Sequence, residues 1–123
     1  MIFCWSQFLD VAKFLKAQAE NGALPLEEAA YRCSISRAYY AAFGYSLTYA
    51  KDCMGYIPEN TGEEHHLIRE FYKSSGKSEI KRKLSRLHQW RKEADYNETV
   101  YNLESNMKGS LKEADEIIRS LNH

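Results

Sequence analysis

The sequence predicts an all-α fold, an antiparallel bundle of four longer helices with one short helix in the longest connection, as a single domain over residues 1–123. Three observations predict it. Apolar residues recur at three- and four-residue intervals over long stretches, and strand-like alternation is missing. Both prolines and most of the glycines fall between the stretches rather than through them. A chain of 123 residues fits one domain with a modest core.

The first helix rests on Phe3, Phe8, Val11, Ala12, Phe14 and Leu15, which recur near the helical period before the pattern fades into "ENGALP". Asn21 and Gly22 suit a helix end, and Pro25 suits the first turn of the next helix. The second helix is expected from about Leu26 to about Cys53, because nothing breaks its pattern before Gly55. Gly44 inside it costs about 1 kcal/mol relative to alanine, so it marks a close helix crossing or a bend, and Ala38, Ala41 and Ala42 fit close packing. "MGYIPENTGEE" is a loop. Thr61 followed by Glu64 has the spacing of a capping box, which starts a short third helix through about Tyr72. "KSSGKS" is a turn, with Ser78 capping a fourth helix to about Tyr96; without an upstream glycine or a preceding strand it is no phosphate loop. The fifth helix, about Leu103 to Leu121, places Leu103, Met107, Leu111, Ala114, Ile117, Ile118 and Leu121 on one face.

Lys plus Arg and Asp plus Glu are 17 each, so no global charge draws the chain to phosphate or membrane. Three cysteines without CxxC or CxxH spacing argue against a zinc site or a disulfide framework and for a reducing, cytoplasmic setting. Cys4 and Cys33 read as small core residues. The opening "MIFCWSQFLDVAKFL" is broken by Gln7, Asp10 and Lys13 and reads as an amphipathic helix, not a signal peptide. No apolar run approaches the roughly 20 residues that span a bilayer.

Charge is nevertheless uneven. The stretch "KSEIKRKLSRLHQWRK" carries Lys77, Lys81, Arg82, Lys83, Arg86, Arg91 and Lys92 against Glu79 alone, and from Glu93 onward acidic residues outweigh basic ones. Two readings follow. In one, the basic helix is a solvated face that pairs with its acidic neighbour. In the other, Lys81, Arg82, Lys83 and Arg86 form a phosphate-binding stripe, with Trp90 or a tyrosine available to stack on a base.

Candidate chemistry is sparse. No carboxylate pair stands out, no cofactor motif is present, and the adjacent His65 and His66 point to different helix faces, with His66 one turn from Glu70. The informative stretches are "SRAYYAAF" and "RKEADY". Neighbouring helical residues point about 100° apart, so Tyr39 and Tyr40 serve different partners, while Arg37 shares a face with Tyr40 and Ala41. Arg91 and Asp95 are one turn apart and continue the inward row of Leu84, Leu87 and His88. Charges on a core-facing row must be satisfied. Arg37, Arg91 and Asp95 are therefore expected to meet in one polar network between the second and fourth helices, with Tyr40 or Tyr96 supplying a hydroxyl. Removing Asp95 is expected to cost several kcal/mol.

In order along the chain, the amphipathic first helix, "RAYYAAFGYSLTYA", "EEHHLIREFYK" and "WRKEADYN" resemble the HEPN superfamily (higher eukaryotes and prokaryotes nucleotide-binding), in particular its small stand-alone prokaryotic members. The resemblance implies a helical bundle that often dimerises and is often paired with a nucleotidyltransferase-like protein in toxin–antitoxin-like systems. It also implies, for active members, a metal-independent ribonuclease in which an arginine is followed after about four to six residues by a histidine acting in acid–base chemistry. Here Arg91 matches the arginine, and Tyr96 stands where the histidine is expected; the other fit is Arg82 with His88. A tyrosine, with an ordinary pKa of about 10, is a poor acid or base near neutrality. The expectation is a binding module without nuclease activity, dimeric or partnered, that contacts RNA or nucleotide through the basic fourth helix at Lys81, Arg82, Lys83 and Arg86. The alternatives are a ribonuclease toxin using Arg91 with Tyr96 or Arg82 with His88, and a structural protein whose second-helix tyrosines form an interface.

Overall fold

The computed structural model of the chain describes residues 3–22 and 27–122. Five α-helices form: α1 (Ser6–Glu20), α2 (Glu27–Cys53), α3 (Glu64–Ser74), α4 (Ser78–Tyr96) and α5 (Leu103–Leu121), with no strand among the described residues. The expected start of the second helix at Leu26 and the role of Pro25 in its first turn lie outside the described residues.

The helix of 27 residues, α2, is central and packs against all four others. Small residues allow it: Ala38, Ala41, Ala42 and Ala50 are fully buried, and Ser34 donates to the Ala12 carbonyl oxygen of α1 at 2.9 Å. Glycine at position 44 has a specific cause. A Cβ there would lie 2.0 Å from the Trp5 indole, so the close approach is made by a ring at the start of α1 rather than by a helix crossing or a bend. Around α2 the core closes with Ile35, Tyr39, Ile68, Tyr72, Leu84, Leu87, Met107 and Ile117, all nearly inaccessible. The expected α5 face is buried at Met107, Leu111, Ala114, Ile117 and Leu121 and half-buried at Leu103 and Ile118.

Turn chemistry sets the boundaries. Past the end of α3, Gly76 takes φ +81°, the Gly76 N–H bonds the Lys73 carbonyl oxygen and the Lys77 N–H bonds that of Tyr72. This is the paired closure of a glycine-terminated helix. Two capping expectations change. Ser78 is the first residue of α4, not its cap, and the flanking Lys77 makes no side-chain capping bond. Glu64 does not close a box on Thr61; its carboxylate is buried and accepts the Asn60 N–H at 2.8 Å and the Tyr56 hydroxyl, which fastens the long loop onto α3.

The first helix departs most from expectation. It buries only Leu9, Ala12 and Ala19, while Val11 and Phe14, on the expected apolar face, are exposed. Cys4, Cys33 and Cys53 are all free and exposed, so Cys4 and Cys33 are not core residues. No helix among the described residues is long and apolar enough to cross a membrane.

Candidate functional site

Arg32, on the first turns of α2, positions the end of α4. Its guanidinium donates to the carbonyl oxygens of Ala94 at 3.0 Å, Asn97 at 2.6 Å and Glu98 at 2.9 Å. The last carbonyls of a helix lack partners within it and carry negative partial charge, so a cation held there both satisfies and stabilises them. This contact fixes where Asp95 and Tyr96 project.

Beside it lies a cluster of arginines and aromatic rings. Arg91 Nε sits 2.8 Å from Asp95 Oδ2, one turn away. The Arg37 and Arg91 guanidiniums both lie over the Tyr40 ring, 5.4 Å and 5.2 Å from its centroid, and each covers a second ring, Phe8 for Arg37 and Tyr96 for Arg91. Arg91 Nη2 also lies 3.5 Å from the Tyr96 hydroxyl. Arg37 reaches Asp95 only through Ser36, whose hydroxyl is 3.5 Å from Asp95 Oδ2 and 3.4 Å from Arg37 Nη2. Among the described residues no carboxylate lies within ion-pair distance of Arg37. A groove of about 410 Å³ runs along this edge between α2 and α4, with Arg32, Cys33, Ser36, Arg37 and Asp95 in its walls.

The structure thus brings together Arg37, Tyr40, Arg91, Asp95 and Tyr96, but not in the core. The Arg91 and Asp95 side chains are 17% and 25% exposed, and Tyr96 is 72% exposed. The end of a helix points its last side chains toward solvent even where the row continues inward. Asp95 is exposed while the Arg91 Nε it faces is buried, so water solvates the carboxylate side of the pair.

Behind the cluster, the contact of α2 with α3 and α4 is lined by histidines. The Tyr39 hydroxyl meets His65 Nδ1, Phe43 stacks on the His65 ring at 4.1 Å, and the His65 and His88 rings stack at 5.7 Å. Burial pushes the Tyr39 hydroxyl far above its ordinary pKa, so it keeps its proton beside His65 Nδ1. Burial, then the Arg91 and Arg69 guanidiniums, hold His65 below its ordinary value. Burial, then Arg69 and Lys92, push His88 down to about 4. Both imidazoles are neutral at pH 7. His66 is exposed, and its expected pairing with Glu70 is not formed among the described residues.

This geometry separates the two arginine–histidine readings. Arg91 and Tyr96 are neighbours. Arg82 and His88 are not brought together: Arg82 turns outward to Glu79 at 2.6 Å, while His88 turns inward against Tyr39 and His65. The basic stripe is largely engaged as well. Lys83 lies 3.5 Å from Glu116, Arg86 pairs with the buried Glu113, and Arg82 holds Glu79; only Lys81 has no carboxylate partner among the described residues. No group of three or more metal-ligating side chains converges among the described residues.

Sequence reasoning missed Arg32, His65 and Arg69. Arg32 and His65 act through residues far away in sequence, and Arg69 acts on the histidines through its charge, so no local spacing reveals any of them. In comparisons with known proteins, the chain matches no family model, no curated protein and no solved structure at a significant level.

Proposed function

We propose that this chain is a helical binding module of HEPN type, built as an antiparallel bundle, that holds single-stranded RNA or a nucleotide at the α2–α4 groove. In this reading it has no nuclease chemistry of its own and acts as a homodimer or beside a nucleotidyltransferase-like protein. The observation that carries the binding reading is the state of Arg37. It is a half-buried guanidinium on a groove wall, held over two aromatic rings, with no carboxylate partner among the described residues. A guanidinium fixed in this way keeps its outer donors for a phosphate at little further ordering cost. The exposed Tyr96 ring beside Arg91 offers a face on which an unpaired base can stack. The groove, rather than the α4 stripe, is the favoured site because the stripe's cations are mostly paired.

Fluorescence anisotropy of a short single-stranded RNA at two salt concentrations tests the proposal. Binding is expected to weaken with salt and to fall about tenfold or more in Arg37→Ala, with the melting temperature unchanged. Salt-sensitive binding that Arg37→Ala leaves intact, or no binding at all, contradicts it. RNA cleavage by the wild type that disappears in a folded Arg91→Ala or His88→Ala variant replaces it with the ribonuclease reading.

A further inference from the structure

On the other flank of α4 a second concavity, about 330 Å³, lies between the end of α4 and the start of α5. Its walls are held firmly. Trp90 is seated against Gly109, where an added Cβ would come within 2.8 Å of the indole. The loop at Asn97 and Glu98 is tied down by Arg32. Asn102 takes the left-handed conformation at φ +61°, and its carbonyl oxygen accepts the Asn106 N–H at 2.8 Å. The concavity is lined by Trp90, Glu93, Asn97, Asn102 and Asn106, with the exposed Tyr101 at its edge. None of the three carboxamides bonds another described side chain or backbone group, and Glu93 accepts only one bond, from Gln89 at 3.2 Å. No lysine or arginine lines the concavity.

We propose that this concavity binds a purine base of guanine type, by stacking on the aromatic wall and hydrogen bonding to Glu93 and the asparagines. The chemistry follows from what each group lacks. Flat aromatic walls take a flat ring. Asparagine N–H groups donate to the O6 and N7 acceptors of guanine, but a carboxamide pairs equally well with adenine N6 and N7, so the choice between the purines falls to Glu93. A carboxylate accepts only, and the guanine N1–H and N2 amino group are adjacent donors that match its two oxygens. Adenine offers an unprotonated N1 at that position, which would leave Glu93 facing a lone pair. With no cation in the walls, a phosphate gains nothing here. The site is therefore distinct in kind from the Arg37 groove and does not depend on it.

Isothermal titration of the full chain with guanosine, adenosine and guanosine monophosphate tests this. Guanosine is expected to bind saturably, adenosine at least about tenfold more weakly, and the monophosphate no more tightly than guanosine. Glu93→Gln and Asn106→Ala should each weaken guanosine about tenfold without lowering the melting temperature, since the Asn106 backbone bond remains. Arg37→Ala should leave guanosine binding unchanged, which separates this site from the RNA groove. A single-stranded RNA with one guanine that competes with guanosine identifies a strand as the source of the base; failure to compete identifies the free nucleoside. No saturable guanosine binding by the folded wild type overturns the proposal, as does tighter binding of the monophosphate that is indifferent to Glu93→Gln.

Discussion

Arg32 sets the geometry of the groove, and its loss should be felt in stability before function. Arg32→Ala removes three bonds from a charged donor and leaves the end of α4 without its cap, so a loss of about 2–3 kcal/mol in urea unfolding is expected. Asp95→Ala should cost about 1 kcal/mol, because water already solvates the exposed carboxylate. Gly44→Ala forces the Trp5 ring aside and should cost about 1–3 kcal/mol. The sequence displays some of this. Four-residue spacing makes Arg91–Asp95 visible, and an isolated glycine in an alanine-rich helix signals a close approach. It does not display burial at a helix end, nor an arginine whose partners lie 62 to 66 residues away.

At the scale of elements, α3 depends on uncharged histidines. His88 sits near 4 in the folded chain against about 6.5 unfolded, so between those values the unfolded chain binds more protons. Its contribution is therefore complete above about pH 6.5 and is lost as the pH falls toward 4. Glu64 adds in the same direction at lower pH. Burial alone would raise its pKa, but the Tyr56 hydroxyl and the backbone N–H groups of Asn60 and Glu59 hold it below the ordinary carboxylate value. His88 is half-exposed, so screening by water keeps its share near about 1 kcal/mol. Urea midpoints between pH 7 and pH 4.5 should fall, and His88→Gln should flatten the fall. Several helix ends were legible because glycine and asparagine punctuate them, as at Asn21, Gly22 and Gly76. The outward face of α1 was not: Val11 and Phe14 follow the helical period as well as Leu9 and Ala12 do, and only the placement of α2 and α5 decides which side is covered.

For the whole molecule, equal numbers of acidic and basic residues leave any attraction for RNA to local arrangement. The α4 stripe, conspicuous as a run of lysines and arginines, is quenched where it meets the acids of α5 at Glu113 and Glu116. Arg37 stands out less in the sequence, yet it keeps its charge uncompensated among the described residues. The most direct measurement is the salt dependence of single-stranded RNA affinity for the wild type, Arg37→Ala and the double variant Lys81→Ala/Arg82→Ala. Each phosphate contact contributes about 0.7 to the slope of log affinity against log salt. The groove reading predicts that Arg37→Ala lowers the slope by about that amount, while the double variant keeps the wild-type slope. A slope lowered by the double variant and unchanged by Arg37→Ala would move the RNA onto the α4 stripe and contradict the groove.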